Sequence, residues 1–330
     1  VTPHLTGNVA KDVGEYTASV TFDFDAANYE PPKVPAPLKW SIPARPLSLQ
    51  TVNAEKPYDG FPLTVDKANI TPGLSGYAEG ECFDYFDLAS ITEVGETPAT
   101  FKYRDSASAK VSNYAVSVVG GATLKVTVGG DQISVTARDG TWAYDATEHR
   151  KMEWDIVNGD KLLAGHEFRI KIDETKSVVK TPEDGPEHNG IVSNVFEYVK
   201  IVETETGADK TKNYNLFVYE GALQITNRVI CSEELRVNSE EFTEKIEKTY
   251  DGEPTNVTVT AELLQPATIL YAVGGDVPGA PQTGWQEEPL VFTDAGEYVV
   301  WYTVAAQYYN TYTNKVEVRI DKRPITLTSP

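Results

Sequence analysis

Thr293-Asp294-Ala295-Gly296-Glu297-Tyr298 opens the stretch whose reading decides the fold. Its Asp/Gly turn leads into a run with Tyr298, Val300, Tyr302 and Val304 on one face. An aromatic corner, Tyr308-Tyr309-Asn310, precedes a second run, with Val316, Val318 and Ile320 directed inward and Lys315, Glu317 and Arg319 outward. Successive side chains of a strand leave opposite faces, so this strict period of two predicts a half-buried antiparallel strand pair. The other end of the chain carries the same order. Val13-Gly14-Glu15-Tyr16-Thr17 leads into a run in which Tyr16, Ala18, Val20, Phe22 and Phe24 alternate with polar residues up to Asn28-Tyr29. The chain therefore reads as copies of one β module.

Working outward, five segments emerge. Residues 1–44 hold the second half of a repeat, with a Pro-rich loop (Pro31, Pro32, Pro35, Pro37) before a closing strand at Leu38, Trp40 and Ile42. Residues 45–130 begin at Arg45-Pro46-Leu47-Ser48-Leu49, carry Tyr58-Asp59-Gly60 and close through Asn113-Tyr114 and Gly121-Ala122-Thr123. Residues 131–228 carry Tyr144-Asp145-Ala146 and close through Asn213-Tyr214 and Gly221-Ala222-Leu223. Residues 229–322 carry Tyr250-Asp251-Gly252 and end on the opening stretch. Residues 323–330 then repeat the Arg-Pro start as Arg323-Pro324-Ile325-Thr326-Leu327, the beginning of a further unit. The Tyr-Asp motifs lie 86 and 106 residues apart, which suits loop insertions in one domain type and not a short-period solenoid. Proline at each start removes a ladder donor and stiffens a short linker. Glu240–Lys248, with Phe242 and Ile246 four apart, is the nearest approach to a helical pattern.

Each motif has a physical reason. Asp-Gly suits a turn that needs positive φ, and the preceding tyrosine offers an apolar ring with a polar tip. Ala146 replaces the glycine in the third unit; left-handed alanine costs about 1–2 kcal/mol, so a different turn is expected there. Gly14/Tyr16 and Gly296/Tyr298 match the corner in which a tyrosine hydroxyl pins a loop; Thr97-Pro98 breaks that pattern in the second unit. The same residues recurring in each copy point to a folding requirement, with Tyr58, Asp59, Gly60, Tyr144, Asp145, Tyr250, Asp251, Gly252, Gly14, Tyr16, Gly296 and Tyr298 as the structural set.

The composition narrows the function. The 330 residues carry a net charge of −20, which repels phosphate backbones and anionic lipid and argues against nucleic-acid and membrane-surface partners. Cys82 and Cys231, the two cysteines, fall in different units without ligand spacing, so two free, mostly buried thiols are expected. No run approaches the roughly 18 apolar residues of a membrane span, and the absence of a targeting signal is read as an excised fragment. His4, His149, His166 and His188 show no metal-ligand spacing. Asp23 and Asp25 could share Ca2+ at a strand end, but two carboxylates are few for an ion that takes six to eight oxygens. No Lys–Asn–carboxylate set for an isopeptide bond can be nominated, and no catalytic constellation is visible.

These motifs, in this order, resemble the YDG/MBG group of bacterial surface-protein repeats: residues 45–228 are similar to two YDG-type copies, and residues 229–322 are closer to the MBG type. The resemblance implies an all-β fold of tandem immunoglobulin-like β-sandwich repeats in an elongated rod, with β-grasp-like repeats as the alternative. It implies a stalk or adhesion region of a large secreted or wall-anchored Gram-positive surface protein; with no catalytic or ligand constellation visible, the chain is expected to be non-enzymatic, extracellular, monomeric and without a cofactor. Two other readings stay open. One is a module binding a host glycan, matrix component or protein through the insertion Asp173–Gly190 or through Trp142, Trp154, Trp285 or Trp301; the other is an accessory region of a secreted carbohydrate-active enzyme.

Overall fold

In the computed structural model, which describes residues 1–72, 76–274 and 279–327, the chain is all-β, with only three-residue 3-10 turns besides its strands among the described residues. A β-grasp needs a helix across its sheet, so the β-grasp alternative falls and the sandwich reading holds. The chain packs as two compact units: Val1–Ile133 with Asn158–Glu167 and Ile201–Leu216, and Ser134–Val157 with Phe168–Lys200 and Phe217–Pro330. The third repeat's residues are divided between them.

In the first unit, residues 1–44 form a single antiparallel layer in which Thr2–Thr6 and Leu38–Ile42 flank Gly14–Asp23. The alternation read from the sequence is present, yet Tyr16, Val20 and Phe22 are only half-buried, because one layer has no opposing sheet. The second repeat closes a core. Its first strand is split into Arg45–Gln50 and Ala54–Pro57, and its last into Tyr114–Val119 and Thr123–Thr127; each half of the first pairs in parallel with a half of the last. First and last strands thus change layer together. The layers enclose Leu47, Leu49, Val65, Phe83, Tyr85 and Leu124. Full burial of such apolar side chains contributes about 1.5–3 kcal/mol each. Asn53 holds the layer change by accepting the Thr123 N–H at 2.9 Å.

In the second unit, Gly140–Ala143 again runs parallel to Gly221–Thr226, and Asp139 accepts the Ala222 N–H at 2.8 Å in the role of Asn53. The fourth repeat carries a four-stranded sheet in the order Lys245–Thr249, Tyr312–Asp321, Gly296–Ala306, Ala267–Val273. The strand pair expected from the opening stretch is its centre: Tyr298 faces Val318 and Val300 faces Val316 across an antiparallel ladder. Val300, Tyr302, Val304, Val316, Val318 and Ile320 are all buried.

Glu240–Lys248, whose pattern was too short for a sustained helix, holds two strands, Glu240–Glu241 and Lys245–Thr249, the second in a parallel ladder with Tyr312–Asp321. The expectation of buried thiols fails: they are free but exposed. Phe83, just before the strand Asp84–Phe86, and Tyr85 within it point inward, as does Ile230 before the Ser232–Glu234 turn, which leaves Cys82 and Cys231 facing out.

Candidate interface between successive repeats

The Tyr-Asp-Gly motif sits at the exit of a repeat. The backbone N–H of Tyr58, Tyr144 and Tyr250 donates to the last strand's end, at Thr127 O (2.8 Å), Thr226 O (3.0 Å) and Asp321 O (2.8 Å). Each aspartate then closes an Asx turn by accepting the N–H two residues on: Phe61 to Asp59, Thr147 to Asp145, Glu253 to Asp251. Gly60 and Gly252 are left-handed, with φ of 81° and 85°. Ala146 is left-handed as well, at φ 64°, so the expectation of a different turn is overturned. Asp145 compensates, since its Oδ1 also accepts from Thr147 Oγ1 at 2.7 Å and lies 3.0 Å from His149 Nε2. The Thr147 and His149 bonds hold that carboxyl down at about 2.

The Gly-x-Tyr corner is the second exit element. Tyr16 and Tyr298 donate their hydroxyls to the carbonyls four residues back, Asp12 O at 2.6 Å and Asp294 O at 3.0 Å. A Cβ at Gly14 or Gly296 would press on the tyrosine's own ring, 3.2 and 3.0 Å from its Oη, so the glycine makes room for the corner. Gly14, Gly95 and Gly296 hold one register, opposite Ile42, Val126 and Ile320 of their closing strands. The residues two before these glycines, Asp12, Glu93 and Asp294, are therefore equivalent.

What those acids do is visible within the first unit. Asp12 of the first repeat accepts Lys110 Nζ (2.6 Å) and Asn113 Nδ2 (3.0 Å) of the second, while Val13 N–H donates to Asn113 Oδ1 (2.9 Å). Glu93 of the second repeat likewise accepts Lys210 Nζ (2.7 Å) and Asn213 Nδ2 of the third, and Val94 N–H donates to Asn213 Oδ1 (3.0 Å). One code, acid-Val-Gly-Glu onto Lys-x-x-Asn-Tyr, joins both pairs. The Asn side chain satisfies an acceptor and a donor at once, and Asn213 is fully buried. Burial alone would raise Glu93, but the Lys210 and Asn213 bonds outweigh it and hold the carboxyl low. Asn113, then Lys110, lower Asp12 in the same way. Hydrogen bonds to these acids raise Lys110 and Lys210.

The tyrosine after Asn receives the exit tyrosine. Tyr58 packs edge-on to Tyr214 at 5.8 Å between centroids and lies parallel to His166 at 6.4 Å, and a Cβ on Gly60 would reach Leu163 at 3.0 Å. Within the second unit Tyr144 meets Tyr308 (4.8 Å) and Tyr309 (6.2 Å), and its hydroxyl accepts Gln265 Nε2 at 2.7 Å. Tyr114, Tyr214 and Tyr309 each accept a backbone N–H of their own repeat, from Ala78, Leu163 and Leu264. At this last joint the acid is Glu183, from the insertion Asp173–Gly190. Its oxygens take Tyr308 Oη (3.2 Å) and Gln307 Nε2 (3.4 Å), so the loop first considered for ligand binding reaches the next repeat.

Sequence reasoning singled out Asn113 and Asn213 only as marks of the closing strand, and missed their joining role together with Asp12, Glu93, Lys110, Lys210 and Glu183. The Lys-x-x-Asn-Tyr spacing occurs twice and could have flagged the two lysines beside the asparagines. The lysine, amide and carboxylate now stand together, yet the ion pair keeps each lysine charged, and a charged amine is no nucleophile for isopeptide formation. Asp23 and Asp25 have separate partners: Asp23 lies 2.7 Å from His4 Nε2, and Asp25 accepts from Ala27 N and Asn28 Nδ2. Among the described residues no group of three or more His, Cys, Asp and Glu is placed to hold a metal ion, and no helix is long and apolar enough to cross a membrane. The tryptophans are half-buried and dispersed, with Trp142 on His149, Trp154 near Phe196 and Trp285 bonded to Pro281 O.

No family model matches the chain, and no curated protein matches it. Among solved structures, it is similar to the human desmocollin-1 ectodomain, at 11% identity over 94% of this chain and 68% of that one, TM-score 0.23. It is also similar to Drosophila N-cadherin EC1-4 (11%, 96% and 85%, TM-score 0.21) and to a B. thetaiotaomicron extracellular domain, BT4673 (12%, 51% and 27%, TM-score 0.22). The chain thus spans about a quarter of the BT4673 domain's length.

Proposed function

We propose that this chain is a non-catalytic run of extracellular β repeats of the YDG/MBG kind, serving as a stalk or adhesion region of a large secreted or wall-anchored bacterial surface protein. One observation carries the reading. The residues that recur from repeat to repeat are spent on joining neighbours, Tyr58 and Tyr144 at the exits, Asn113 and Asn213 at the entries. Recurrence is thereby accounted for by assembly along the chain, with no ligand required. The high acidity supports a surface that stays solvated among like neighbours.

A second reading, binding of a glycan or protein, is favoured by one surface of the third repeat, where Trp154, Ile156, Phe168, Arg169, Ile170 and Tyr198 line a shallow, largely aromatic and aliphatic groove with one cation on it. Presenting the whole chain to immobilised glycans and matrix proteins decides between the two. The stalk reading expects no saturable retention. Saturable binding that Trp154→Ala and Tyr198→Ala abolish would replace it with the binding module.

A further inference from the structure

The exit face of the fourth repeat has the parts of a joint and nothing seated on it among the described residues. Tyr58 and Tyr144, covered by the next repeat, are 8% and 3% exposed, whereas Tyr250 is 39% exposed although its backbone is bonded as theirs are. Asp294-Ala295-Gly296-Glu297-Tyr298 repeats Asp12-Val13-Gly14-Glu15-Tyr16 with the same corner bond and the same register. Asp294 is exposed, and the Ala295 N–H, equivalent to that of Val13, takes no partner among the described residues.

We propose that this face, built from Tyr250, Asp294 and Ala295, is a docking surface for one further β repeat whose entry turn reads Lys-x-x-Asn-Tyr. The lysine would pair with Asp294, the asparagine would bridge Asp294 and the Ala295 N–H, and the tyrosine would cover Tyr250. The charge pairing, the amide bridge and the aromatic contact are those already made at the earlier joints, and the fourth repeat's Asp-x-Gly-Glu-Tyr sequence is nearest to that of the first, which takes an entry of this kind. The inference does not depend on what the assembled repeats do.

The test extends the chain. Residues 1–327 are followed by residues 50–128, which continues the Arg-Pro strand in register; a second chain joins residues 1–322 to residues 129–228. Hydrogen exchange at Ala295 and nitration of Tyr250 are compared with the parent. The expected result is at least a tenfold slowing of Ala295 exchange and loss of Tyr250 nitration. Both should revert when Asn113→Ala, or Asn213→Ala in the second chain, is made in the appended copy only. Unchanged exchange and nitration beside a folded appended repeat would overturn the proposal. So would appended repeats that stay unfolded in both chains, since the same sequences fold when seated on the first and second repeats.

Discussion

At the scale of the residue, left-handed positions and hydroxyls carry the clearest consequences. Ala146 holds φ 64° because Asp145 gathers three donors around the turn. Glycine relieves the strain but adds unfolded-state entropy, so Ala146→Gly raises stability by at most about 1 kcal/mol; urea unfolding should show a higher midpoint at unchanged slope. Tyr298→Phe removes the donor to Asp294 O and keeps the ring over Gly296. It should cost about 1 kcal/mol, the net worth of one hydrogen bond, and differential scanning calorimetry should register a lower melting temperature. Both residues were legible in the sequence, but the sign at Ala146 was not. Propensity argues against alanine in that conformation, and only the surrounding donors reveal why it is tolerated.

At the scale of the element, the entry turn before each closing strand does more than end a loop. Asn213→Ala leaves the Val94 N–H and the Glu93 carboxylate short of partners. The expected cost is about 1–3 kcal/mol, with faster exchange at the Val94 amide while the second repeat's core amides stay protected. The joints are also acid-labile. Glu93 and Asp12 lie below their ordinary 4.5 and 3.8 in the folded chain. A depressed carboxylate contributes stability that is full above its unfolded value and is lost as pH falls through the folded one. The amide shifts of Val13 and Val94 should therefore each hold steady from neutrality to about pH 5 and each move in more acid solution; movement on raising the pH through neutrality would contradict this. Asp12 and Asn113 lie 101 residues apart, as alternation along single strands could never show. What was legible was the closing half of each repeat, where local period and burial agree; the Lys245–Thr249 strand was not, because its partner is remote.

At the scale of the whole molecule, the order of repeats was readable because each carries the same punctuation, and the joints were not, because each is shared by two sequence neighbourhoods. The ion-paired state of Lys110 and Lys210 gives a further check: the intact mass should equal that calculated from sequence, with no ammonia lost. The two outward thiols should both react with a maleimide in the native chain, whereas the buried positions first expected would protect them.

The parallel pairing of first and last strands has a mechanical side. In the second repeat the chain enters along Arg45–Gln50 and leaves along Thr123–Thr127, pointing the same way; in the fourth, Lys245–Thr249 and Tyr312–Asp321 do so too. A pull on the two termini of such a repeat slides these strands past each other, so the ladder's hydrogen bonds share the load and must break together, where a hairpin would unzip them singly. The Tyr-Asp turn clasps the far end of that ladder. Tension would therefore be borne by the paired first and last strands of each such repeat.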